Sequence, residues 1–121
     1  MKNIVKFNAN NFWEKLDTLI NTKEVVIDRP KGSTHPRYSG SVYPHDYGYL
    51  KDILSSDGAG VDVWIESGNP KKVTGFISTF DALKNDIEIK LLIACSVSEM
   101  NEILKFHQKG NMVAYLTIRK D

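Results

Sequence analysis

The residues best suited to chemistry surround a glycine-rich bend, Asp57-Gly58-Ala59-Gly60-Val61-Asp62-Val63. Two carboxylates five residues apart across such a bend can converge on one ion. Hard divalent cations such as Mg²⁺ take oxygen ligands and few protein groups. An Asp-Gly hairpin turn followed by an exposed aspartate at a strand start accounts for the same residues without chemistry. A second acidic group, Asp81, Asp86 and Glu88, precedes Lys90. The two-residue period of a strand places Asp86, Glu88 and Lys90 on one face, where like charges are unfavourable unless a cation or solvent relieves them. Alternating acid and base along an exposed strand is the competing reading.

These groups need elements to hold them. Phe12, Leu16, Leu19 and Ile20 recur at helical spacing, and Asn11 with Glu14 resembles a capping box, which predicts a helix over residues 11–21. Glu24 to Asp28 reads as a short strand ended by Pro30. From Pro30 to about Asp57 the chain is rich in Gly, Pro, Ser and Tyr and reads as a long irregular segment. Its tyrosines argue for an ordered, functional loop over a disordered one. Val61 to Glu66 and Val73 to Thr79 alternate as strands, and Ile87 to Val97 becomes continuously apolar. Ser96 and Glu99 form a capping box for a helix running to about Gln108, with Gly110 as its stop. Met112 to Ile118 reads as a final strand. Five short strands and two helices predict a mainly β, α+β domain built as a small barrel.

Bulk properties bound the function. A chain of 121 residues with 41% hydrophobic and 26% charged residues suits one domain spanning 1–121. No apolar run reaches membrane-spanning length, and Met1-Lys2-Asn3-Ile4 is too polar to open a secretory signal. A net charge of +1 gives no reason to expect nucleic acid or an anionic membrane as partner. The lone Cys95 lies in an apolar run and reads as a buried hydrophobe, so the expected compartment is the cytosol. His35, His45 and His107 are not spaced as a shared metal site, and none is expected to be a ligand. Trp64 should face opposite to Val63 and Ile65 and pack rather than stack on a ligand.

The order of motifs resembles the soluble inorganic pyrophosphatases. It comprises Asp28-Arg29-Pro30-Lys31-Gly32-Ser33, Arg37-Tyr38, Tyr43-Pro44-His45-Asp46-Tyr47-Gly48-Tyr49, the Asp57–Val63 bend, and Glu88-Ile89-Lys90-Leu91-Leu92-Ile93-Ala94. Lys105 falls where that family carries a late phosphate-binding lysine. The resemblance implies a five-stranded OB-like barrel with peripheral helices and Mg²⁺-assisted hydrolysis of pyrophosphate or a related phosphoanhydride. It implies Asp57, Asp62, Glu88 and Asp81 as metal ligands, with Asp86 the alternative to Asp81. Arg37, Tyr47, Lys90 and Lys105 would hold phosphate oxygens, and Asp62, Tyr47 and Lys90 would act in catalysis. Family members often assemble, so a homo-oligomer is expected as well.

Departures from the family pattern shape that expectation. Ala59 stands where the family's proposed water-activating aspartate belongs, Ser39 replaces a glutamate, Gly60 replaces a proline and Leu104 replaces a tyrosine. The hairpin before Tyr43 is cut short, which removes an expected phosphate-binding arginine. The chain is therefore expected to hydrolyse pyrophosphate slowly. The alternative is a degenerate module that binds phosphate and metal with little turnover.

Overall fold

The computed structural model describes residues 9–53, 60–67 and 71–120. In chain order the elements are α1 (Ala9–Thr22), β1 (Val25–Arg29), β2 (Asp46–Leu50), β3 (Val61–Ile65), β4 (Val73–Asp81), β5 (Asp86–Ile93), α2 (Val97–Phe106) and β6 (Met112–Ile118). Among the described residues the strands form one sheet in the order β1-β2-β3-β5-β4-β6. Neighbours are antiparallel except β3 and β5, because the β4–β5 hairpin returns β5 alongside β3.

Alternation along β3 and β5 divides the apolar residues between two cores. Val63, Leu91 and Ile93 pack with Trp13 and Ile20 of α1 on one face. Trp64, Leu92 and Ile77 pack with Met100 and Ile103 of α2 on the other. Full burial of each such side chain stabilises by about 1.5–3 kcal/mol, so the central strands anchor both helices. An inner ion pair fixes α1: Asp17 Oδ2 lies 2.8 Å from Arg119 Nη1, while Asp17 Oδ1 accepts from the Val73 amide at 2.9 Å. Ser96 caps α2 through the reciprocal bonds expected from the sequence.

Several expectations need correction. The sheet has six strands and stays open, with no pairing of β1 to β6 among the described residues, so a closed five-stranded barrel does not form. The uncounted strand is β2, inside the segment read as irregular; Gly48 and the flanking tyrosines hide its alternation. The first helix begins at Ala9, which places Asn11 within it and not at its cap. Strand β5 stops at Ile93, because Ala94 turns to φ 57 and Ser96 is already the helix cap. Helix α2 ends at Phe106 with His107 as its C-cap, so Gly110, at φ 60, shapes the turn into β6 instead.

Gly48 has a steric role. A Cβ there would lie 1.8 Å from the Val26 carbonyl oxygen of β1, inside the backbone of the neighbouring strand. Gly48→Ala should therefore cost about 3 kcal/mol or more, at or above the usual range for overpacking. Urea unfolding should show the loss, with faster amide exchange along β1 than along β5.

Candidate functional site

The face covered by α2 carries a charged cluster. Tyr47 pairs with Trp64 and Tyr49 with Asp62 across β2 and β3, so all four share one face. On β5, Glu88 and Lys90 alternate onto the same face as buried Leu92. Lys90 Nζ lies 2.8 Å from the Tyr47 hydroxyl, 3.1 Å from Asp62 Oδ2 and 3.3 Å from Glu88 Oε1. The Tyr47 hydroxyl donates to Asp62 Oδ2 at 2.7 Å. The Lys90 side chain is only 8% exposed, a burial that an ammonium tolerates when anions surround it.

The proton positions follow. Burial first, then the charge and hydrogen bond of Asp62, push the Tyr47 phenol far above its ordinary range. Tyr47 thus keeps its single proton, which goes to Asp62, and accepts from Lys90 on a lone pair.

Behind the cluster stands an aromatic wall. The Trp64 ring lies 4.7 Å from Tyr47 and 5.4 Å from Phe106, centroid to centroid, and Tyr43 lies 4.9 Å from Phe106. Trp64 is fully buried and its Nε1 donates to His107 Nε2 at 3.0 Å, so it packs as expected from the sequence. Burial, then the nearby Lys90 charge, lower the His107 pKa to about 3, which leaves the ring neutral with its proton on Nδ1. Cys95 is buried, and burial pushes its thiol up to about 12, so it behaves as the expected core residue.

Of the residues singled out by sequence, the structure brings together Tyr47, Asp62, Glu88 and Lys90. Asp57 and Ala59 lie outside the described residues. Asp81 and Asp86 pair across the β4–β5 hairpin, and Asp81 Oδ1 accepts from the amides of Leu83 and Lys84, which commits that oxygen to the turn. Arg37 is exposed on the loop before β2, its amide donating to His35 Nδ1 at 3.1 Å. Lys105 is exposed on the last turn of α2, the helix that covers the cluster's face. Gly60 adopts φ 91, which a proline, fixed near −65°, cannot. The approach to Asp62 therefore follows a backbone path closed to the family's proline.

Sequence reasoning missed a second polar group. One ligand atom from each of His45, Glu66 and Glu99 lies within 4.8 Å of the others. Its only sequence signal was Glu99 in the capping box; the meeting of His45 and Glu66 depends on the β2–β3 register.

The first cluster suits a hard divalent cation by donor type. Its ion pair uses Asp62 Oδ2 and Glu88 Oε1, leaving Asp62 Oδ1 and Glu88 Oε2 outside that pair. Two carboxylates against one ammonium leave one net negative charge, which a cation would offset.

Comparison with known proteins points to the inorganic pyrophosphatases as similar proteins. An inorganic pyrophosphatase of Ureaplasma parvum is 30% identical over 80 residues, a match covering 60% of this chain and 41% of the relative. The chain thus spans well under half the length of that relative. The solved inorganic pyrophosphatase of Helicobacter pylori superposes with a TM-score of 0.55 at 17% identity, over 78% of this chain and 81% of that one, a likeness of fold. No protein-family model matches the chain.

His107 makes the site's wall sensitive to acid. Its pKa falls from 6.5 unfolded to about 3 folded, so between these values the unfolded chain binds a proton that the folded chain excludes. The stability linked to neutral His107 is complete above pH 6.5 and is lost as pH falls toward 3. His107→Gln, which retains an acceptor for Trp64, should give a shallower fall of Tm with acid across this window in thermal scans.

Proposed function

We propose that this chain, a divergent relative of the inorganic pyrophosphatases, is a Mg²⁺-dependent cytosolic phosphohydrolase that cleaves pyrophosphate or a related phosphoanhydride slowly. The observation that carries the reading is the convergence of Tyr47, Asp62 and Glu88 on Lys90, on the face that also bears the helix of Lys105. Asp57, Asp62 and Glu88 would hold the principal ion, and Asp81 or Asp86 at the hairpin end of that face would serve another. Bound there, Mg²⁺ would neutralise phosphate oxygens and lower the pKa of a water.

The protein groups have separable tasks. Lys90 supplies a desolvated positive charge for a phosphate oxygen, and Lys105 and Arg37 add exposed charge. Tyr47 remains a neutral donor across the working pH range and can turn its proton from Asp62 to substrate. Asp62 links the metal to this proton network.

A second reading, binding with little turnover, is favoured by Ala59. A positioned general base contributes typically about 10²–10⁴-fold, and its loss leaves the Tyr47–Asp62–Glu88–Lys90 cluster in place. Phosphate release from pyrophosphate, measured with and without Mg²⁺, separates the readings. Slow, Mg²⁺-dependent release supports the enzyme, and none supports the binding module. Ala59→Asp should raise the rate, by up to about 10²-fold given the lost arginine.

Mg²⁺ with imidodiphosphate should raise the Tm of the unaltered protein, and Asp62→Asn should remove that shift. No shift in the unaltered protein would sink both readings.

A further inference from the structure

The second polar group lies on the same face as the first, at the opposite end of buried Trp64. His45 precedes β2 and Glu66 follows β3; one step beyond the Asp46–Ile65 pair, the register sets them side by side. Glu99 reaches in from the first turn of α2, where its Oε1 accepts from the Ser96 amide at 2.7 Å and so holds the carboxylate in place. His45 is buried, at 4% exposure. Its two ring nitrogens have different neighbours. Nε2 lies 3.2 Å from Glu102 Oε1, and a carboxylate there accepts the Nε2 proton. With its proton on Nε2, the ring would turn the Nδ1 lone pair toward Glu66 Oε1.

His45 Nδ1 and Glu66 Oε1 are both buried and meet each other in an ion-pair contact, and among the described residues neither has a further hydrogen-bond partner. Two such atoms held together out of water need a positive centre between them, which either a proton or a metal ion supplies. Imidazole is a poor ligand for Mg²⁺ or Ca²⁺ and a good one for a borderline transition ion. One histidine, two carboxylates and a water complete a tetrahedral zinc site, and a carboxylate on the far ring nitrogen is the usual support for a zinc-bound histidine.

We propose that His45, Glu66 and Glu99 form a Zn²⁺ site, oriented by Glu102, that fastens the start of α2 to the adjoining ends of β2 and β3. The site is independent of the phosphate reading. Glu66 lies four positions beyond Asp62 along the chain, a span of about 13 Å in extended backbone, so the ion here is not the one proposed at Lys90.

The test uses the full chain stripped of metal by chelation, with Zn²⁺ titrated by calorimetry and Tm recorded at each ratio. One saturable Zn²⁺ should bind and raise Tm, and Co²⁺ in its place should give visible absorption bands of a four-coordinate site. His45→Gln should abolish binding. Glu66→Gln and Glu99→Gln should each weaken it by at least tenfold, the latter without loss of the helix cap, since Gln also serves a capping box. Glu102→Gln should weaken it by about 10–100-fold, as for other groups that orient a ligand. Asp62→Asn should leave it unchanged. The proposal is overturned if the unaltered protein takes up no Zn²⁺, if Glu66→Gln and Glu99→Gln both bind at unaltered affinity, or if binding is lost in Asp62→Asn.

Discussion

Much of this structure follows from burying one indole. Trp64 is fully enclosed, and its N–H must find an acceptor there or forfeit the cost of leaving water. His107 supplies that acceptor from the C-cap of α2, so one hydrogen bond fixes the helix end over the sheet. Tyr43, Tyr47 and Phe106 close around the ring and exclude water from the surrounding face. The polar groups of that face are consequently pushed to its two ends, with Asp62 on one side of the indole and Glu66 on the other.

At the Asp62 end, charge balance is local. A nearly buried ammonium is tolerable only beside anions, and two neighbouring carboxylates are tolerable only beside a cation. Lys90 with Asp62 and Glu88 satisfies both demands, and Tyr47 completes the network as a phenol that burial keeps protonated. The cluster is held by its own ion pairs and hydrogen bonds.

The likeness to inorganic pyrophosphatases is uneven along the chain, and its unevenness has a physical pattern. Groups set by strand register, Tyr47, Asp62, Glu88 and Lys90, sit together. Three of the departures, Ser39, Ala59 and Gly60, fall between strands in the sequence, and the fourth, Leu104, lies in α2. Strand residues are held by cross-strand pairing and by both cores, whereas a loop can change its residues without disturbing either. The φ of 91 at Gly60 is one result.

Features that depend on near neighbours can be read along the chain. The capping box of α2, the alternation of β3 and β4, the inward placement of Trp64 and the burial of Cys95 were all legible, because each is decided within a few residues. The order of motifs, more than periodicity, drew attention to Tyr47, Asp62, Glu88 and Lys90, whose side chains the fold brings together. Features that depend on distant partners emerge only once the chain is folded. Strand β2 was hidden because Gly48 carries no side-chain signal, yet its lack of a Cβ is what admits the backbone of β1. The open edge of the sheet could not be read from strand count, since closure depends on how strands pair and not on how many there are. His45 and Glu66 are 21 positions apart in the chain, and only the β2–β3 register, extended by one pair, sets an imidazole against a carboxylate.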